Sequence, residues 1–208
     1  MKFGKLDSVE GLPADAFRLP AQTPAETWEV LGEQEGIWPE TAVRTGGTMW
    51  NIRGWRGKVY PAKDPQRTWA GHYGRAFSTI EYNATHYRIY SPEKMAAWAA
   101  EMPADFTFCP KLPAIISHYR RFKDCAGPTD DFLAGILALG DQLGPTFAQL
   151  PPHFAPKHAD EMRAYLDRWP REIPLAVEFR HPDWFAGGAQ AEAVWDQIRS
   201  LGISAVLS

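Results

Sequence analysis

From Val43 onward, short runs of apolar and β-branched residues alternate with stretches whose apolar positions recur every three or four residues. The hydrophobic period therefore switches repeatedly between 2 and 3.6, the mark of strands alternating with amphipathic helices. Strands are predicted at Val43–Met49, Thr79–Thr85, Thr107–Lys111, Thr146–Gln149, Leu175–Phe179 and Ser204–Leu207. Helical stripes fall between them. They comprise Trp69, Tyr73 and Phe77; Met95, Trp98 and Met102; Phe132, Ile136, Leu139 and Leu143; Met162, Leu166 and Trp169; and Val194, Ile198 and Leu201. Ser91-Pro92-Glu93 carries the signals of a helix start: a side-chain acceptor, a pre-set φ and an acid near the positive end of the dipole. Thr129 before Asp130 and Asp131 reads as a second start. Strict β-α alternation implies a parallel sheet with helices outside it. With six predicted strands, an open doubly wound sheet and an incomplete eight-stranded barrel fit the pattern equally.

Residues 1–42 are rich in Pro and Glu and show no sustained period beyond a short helical stretch near Thr27–Leu31. They are expected to form an N-terminal arm whose Phe17, Trp28 and Trp38 pack on the α/β domain over 43–208. A chain of 208 residues can bury roughly 70% of the surface its unfolded form exposes, so a sizeable core is expected. A 13% aromatic and 23% charged content excludes the disordered class, and a net charge of −3 argues against a general nucleic-acid coat. Cys109 and Cys125 form no CxxC or Cys/His array, which excludes a disulfide scaffold and a structural zinc site. With no apolar run of signal-peptide or membrane-span length, a cytoplasmic protein without a membrane partner is expected. Gly46-Gly47 at the first strand-to-helix turn lacks GxGxxG, so a dinucleotide fold is disfavoured.

Five segments, in order and spacing, resemble the YecE-like family, domain of unknown function 72. They are GGTMWNIRGWRGKVYP (Gly46–Pro61), FSTIEYNATHYRIYSPE (Phe77–Glu93), FTFCPKLPAIISHYRRFKD (Phe106–Asp124), LGPTFAQLPPHFAP (Leu143–Pro156) and AVEFRHPDWF (Ala176–Phe185). The resemblance covers residues 43–207 and implies a TIM-type (β/α) barrel with parallel strands, which would decide between the two sheets. It implies no reaction. Family members continue beyond the sixth strand with two further β/α units. A barrel domain truncated at the C-terminus is therefore expected here, closed by a partner or a missing segment, since open strand edges invite aggregation.

The chemistry expected of such a barrel lies at the carboxyl ends of its strands. Residues two apart in a strand share a face, so Glu81, Asn83 and Thr85 are grouped on the second strand and Glu178 with Arg180 on the fifth, while Lys111 and Gln149 end the third and fourth. Glu81 and Glu178 are the expected acid/base pair, Lys111 and Arg180 the charge stabilisers, and His118 and His181 orienting or proton-shuttling groups. The bland alternative makes Glu81–Lys111 and Glu178–Arg180 interior ion pairs. Overhanging loops add Trp50, Arg53 and Arg56 on one side and His118 and Arg121 on another, basic groups among flat rings that suit an anionic ligand carrying a ring. Alternatively those rings pack the loop onto the domain. His86 and His153 read only as rim residues. No cofactor is required by the sequence. A divalent metal held by His118, His181, Glu81 and Glu178 is an alternative that no HxH or HExxH spacing supports. The leading expectation is an enzyme, a hydrolase or lyase, acting on a small anionic molecule such as a phosphate ester or nucleotide-like compound. The competing ones are a non-catalytic nucleic-acid or nucleotide binder and an inactive fragment awaiting a complementing segment.

Overall fold

In a computed structural model of the chain, residues 43–206 are described. The expected arm over 1–42 lies outside them. Six parallel strands are found among the described residues: β1 (Gly46–Gly47), β2 (Thr79–Tyr82), β3 (Thr107–Pro110), β4 (Thr146–Gln149), β5 (Leu175–Glu178) and β6 (Ser204–Ala205). They form two three-stranded sheets, β1-β2-β3 and β4-β5-β6, each in chain order. Parallel bridges Phe108↔Leu143 and Lys111↔Phe147 join β3 to β4. No closed barrel is found among the described residues.

Among the described residues, five helices of eight or more residues separate the strands: α1 (Trp69–Ala76), α2 (Pro92–Glu101), α3 (Ala126–Leu137), α4 (Ala159–Arg168) and α5 (Ala189–Ser200). Each buries part of its predicted stripe, such as Trp69 and Tyr73 in α1, Met162 and Leu166 in α4, and Val194 and Ile198 in α5. These side chains join Ile80, Phe108, Ala148 and Val177 from the strands in one core. Burying a side chain of this size contributes about 1.5–3 kcal/mol, so the stripes hold the helices to the sheets more firmly than propensity does.

Several expected boundaries move, each for a local reason. The first strand shrinks from Val43–Met49 to Gly46–Gly47, and Val43 is exposed. The second stops at Tyr82, because Ala84–Tyr87 coils into a helical turn with Asn83 at its head. Glu81, Asn83 and Thr85 consequently do not share one strand face. The third and fifth strands end at Pro110 and Glu178, one residue early. Ser91-Pro92 does begin α2, but α3 starts at Ala126 rather than at Thr129. Pro128 lies in the first turn of α3, where its missing N–H is no loss, and Thr129 is already helical. The α3 stripe is cut at Leu137, since a 3-10 turn at Gly140–Gln142 carries the chain toward β4.

The seam between the two sheets is close-packed. Gly144 donates its N–H to the Phe108 carbonyl at 2.7 Å, while Leu112 donates to Phe147 at 2.8 Å. A Cβ at position 144 would fall 2.3 Å from the Thr107 methyl and 2.9 Å from the Phe108 oxygen, so only glycine fits there.

Candidate functional site

Strand register assembles the site. Glu81 lies opposite Cys109, one residue on from which β3 ends; Lys111 is bridged to Phe147; and Gln149 lies opposite Glu178. With a period of 2, residues 147 and 149 face the same way, and Lys111 meets both. Its ammonium lies 5.5 Å from the centre of the Phe147 ring and donates to Gln149 Oε1 at 2.9 Å. The Gln149 amide then donates to Glu178 Oε2 at 2.6 Å, and Arg180 Nε donates to Glu178 Oε1 at 2.5 Å. A hydrogen-bonded line thus runs Lys111–Gln149–Glu178–Arg180 across the ends of three adjoining strands. Glu178 is 3% exposed and Lys111 8%.

Burial pushes the Lys111 ammonium below its ordinary range, Arg180 adds to the effect, and Glu81 and Glu178 oppose it. A lysine that is easier to deprotonate is better suited to proton transfer than a fully solvated one. The backbone at Lys111 is pinned by a buried hydroxyl. Thr85 Oγ1 accepts the Lys111 N–H at 2.9 Å and lies 2.8 Å from the carbonyls of Lys111 and Tyr82, to one of which it donates. Asn83 Nδ2 donates to Glu81 Oε1 at 3.0 Å and so orients that half-buried carboxylate.

The loop after β3 opens with a π-helical turn at Ile115–Tyr119. His118 stands on it, its Nδ1 2.9 Å from Ser117 Oγ and its ring 4.8 Å from that of His86. Burial lowers its pKa to about 4, helped by the positive fields of His86, Lys111, His153 and Arg180. His118 is therefore a neutral imidazole at pH 7, able to accept or donate but not to serve as a fixed cation. His86 places Nδ1 2.8 Å from the Leu112 carbonyl, which accepts its N–H. Beyond the turn, Arg121, Phe122 and Asp124 take φ values of +48°, +68° and +49°.

The expected residues divide into groups. Glu81, Lys111, Gln149, Glu178, Arg180 and His118 gather at one end of the strands, through direct hydrogen bonds or electrostatic coupling. Asn83 touches the group through Glu81. The first loop is built differently: Trp50 stacks on Tyr82 at 5.2 Å and meets Trp98 edge-on, while Trp55 lies over Tyr73 and Phe77. Its rings pack the loop onto the core. Arg56 donates to the carbonyl of Ala62 in the same loop, and Arg53 is at the surface. His181 lines a neighbouring hollow, and Arg121 stands beside it against His153. His181 Nδ1 accepts the Asp183 N–H at 3.2 Å, and Arg121 approaches His153 Nε2 at 3.5 Å. Thr85, read as a strand-face residue, proves to be an internal clamp. His86 was legible only as a histidine just after a strand; nothing in the spacing marked its pairing with His118.

Among the described residues no group of three or more His, Cys, Asp or Glu side chains is arranged to hold a metal ion. Cys109 and Cys125 are free, and burial raises both thiols, so neither is activated as a nucleophile. No helix among the described residues is long and apolar enough to cross a membrane.

Comparison with known proteins places the chain. It is 33% identical over 135 residues to the UPF0759 protein YecE of Escherichia coli (strain K12), covering 65% of this chain and 50% of that one. It is 28% identical over 147 residues to the UPF0759 protein YunF of Bacillus subtilis (strain 168), covering 65% and 51%. The chain thus spans about half the length of the curated relatives it matches. A DUF72 family protein from Enterococcus faecalis V583 has a similar fold in two crystal structures. TM-scores are 0.61 and 0.55 at 18% and 17% identity, with 79% and 78% of this chain and 60% and 61% of the other covered. The family model described as "Protein of unknown function DUF72" matches residues 44–208. With four-fifths of its length matched by that model, this α/β chain of parallel strands belongs to the DUF72 family.

Proposed function

We propose that the chain carries an acid–base active site for an anionic substrate, phosphate-containing or nucleotide-like, at the carboxyl ends of its strands. One observation supports this most: the continuous line from Lys111 through Gln149 and Glu178 to Arg180, laid across three strand ends where parallel α/β folds bind ligands. Six parallel strands in chain order favour a TIM-type barrel, of which the two sheets would be successive arcs over residues 43–208. Both Glu178 oxygens accept hydrogen bonds, so this carboxylate suits orientation and charge balance better than proton transfer. Lys111, with its lowered pKa, and the half-buried Glu81 are the better acid/base pair. Arg180 and neutral His118 would bind and orient the substrate. The inward-packed Trp50 and Trp55 favour an enzyme over a nucleic-acid binder that needs stacking platforms.

Turnover of a panel of phosphomonoesters and phosphodiesters by the parent, Glu81→Gln, Lys111→Met and Glu178→Gln tests the reading. Loss of Glu81 or Lys111 is expected to lower kcat about 100-fold or more, with Glu178→Gln acting mainly through substrate affinity. A parent inert across the panel, or Lys111→Met and Glu81→Gln as fast as the parent, would remove the assignment.

A further inference from the structure

We propose that a second subsite, in the hollow between the loops after β4 and β5, holds a phosphate-type anion on His153, Lys157 and His181. The inference rests on the reading above, in that the anion would be the non-reacting end of the same substrate. The hollow has a volume of about 650 Å³, well beyond the needs of one water. Much of its lining is small, with Ala155, Ala186 and Ala189 beside Gly187 and Gly188, so it stays open. Gly187 and Gly188 have φ of +77° and +138°, values that side-chain-bearing residues rarely adopt, which keeps this wall bare.

Three basic side chains border that space. Lys157 stands on the 3-10 turn Pro156–His158 that leads into α4, and its exposed ammonium can reach an anion as a point charge. His181 accepts the backbone N–H of Asp183 on Nδ1, which puts the ring proton of the neutral form on Nε2 and makes that nitrogen a donor. His153 stands 3.5 Å from the Arg121 guanidinium, so a second fixed positive charge, after Lys157, lies just outside. Asp183 is the one acid lining the hollow among the described residues, with its carboxylate 3.6 Å from His181 Nδ1 and 65% exposed to solvent. It opposes an anion and gives the proposal a second, oppositely signed test. The hollow also adjoins the Lys111 centre, since Arg180, which pairs with Glu178, is followed directly in the chain by His181 on the hollow's wall. A substrate could then leave its reacting bond beside Lys111 while its phosphate rests among the histidines.

Titration with inorganic phosphate against chloride at matched ionic strength, followed on the imidazole Cε1–Hε1 resonances, decides the matter. Saturable shifts are expected at His153 and His181. They should weaken about fivefold in Lys157→Ala, the equivalent of losing one partly screened charge, and strengthen about twofold in Asp183→Asn. Glu81→Gln should leave them unchanged. Both His153 and His181 silent, or shifts indifferent to Lys157→Ala and Asp183→Asn, would overturn the subsite. Response at His118 alone would place phosphate at the Lys111 centre, overturning the subsite while sparing the active-site reading. Binding at His153 and His181 together with an inert phosphoester panel would support the subsite and sink the active-site reading instead.

Discussion

His118 and Thr85 do opposite kinds of work at the same strand ends. His118 is a titratable group held neutral by burial and by positive neighbours, with a folded pKa near 4 against an ordinary 6.5. Between those values the unfolded chain binds the proton that the folded protein refuses, so stability falls as pH drops from about 6.5 to 4 and is complete above that window. After allowance for solvent screening the loss is about 1–2 kcal/mol. Denaturant unfolding at pH 7 and pH 4.5 should show it, and His118→Asn should flatten the difference by that amount. A pH dependence unchanged in the variant would assign the proton to another group. Thr85, by contrast, carries no charge. Its hydroxyl accepts the Lys111 N–H and donates to one of the two carbonyls beside it, those of Tyr82 and Lys111. Thr85→Val keeps the shape but leaves the buried Lys111 N–H with only its long 3.4 Å bond to the Tyr82 carbonyl, and should cost about 1–3 kcal/mol by chemical denaturation. If Thr85→Val unfolds at the parent's denaturant concentration, the clamp is ornamental.

The loop from Ile115 to Asp124 is the element that departs most from regular geometry. A π-helical turn is followed by three non-glycine residues in the left-handed region, each disfavoured by about 1–2 kcal/mol. Packing offsets the strain: the Phe122 ring is 6% exposed and lies 5.6 Å from Phe154 and 5.2 Å from Tyr165. Arg121 enjoys no such compensation, because it is exposed. Arg121→Gly should therefore raise stability by about 1 kcal/mol in thermal or urea unfolding, while weakening phosphate binding at His153. A variant less stable than its parent would mean that the arginine is anchored by contacts stronger than the one to His153. None of this shape is written in hydrophobic period. The sequence placed basic residues after the third strand, but the left-handed turns arise from the meeting of this loop with α4 and the loop after β4.

Across the whole molecule, the parallel sheets communicate at the seam between β3 and β4, where Gly144 and Leu112 make the backbone hydrogen bonds. Gly144→Ala should act as a wedge there, costing about 2 kcal/mol or more. Tryptophans lie on both sides of the seam, Trp69 and Trp98 before it and Trp169 and Trp184 after it. If the halves fold as one unit, fluorescence and far-UV circular dichroism will shift together in the variant, whereas separated transitions would mean that the sheets fold independently. The order of strands and helices, their parallel sense and most of the core were determined by the sequence alone, because burial in a parallel α/β fold imposes periods of 2 and 3.6 that any reader can find. The strand-end location of Glu81, Lys111, Gln149 and Glu178 was likewise legible, since polar residues closing apolar runs are local features. Only the tertiary structure decided that Gln149 joins Lys111 to Glu178, that Thr85 turns inward, that Trp50 and Trp55 pack rather than project, and that His86 meets His118. Each of those depends on register between segments tens of residues apart, and register is settled by packing across strands, to which no single stretch of sequence has access.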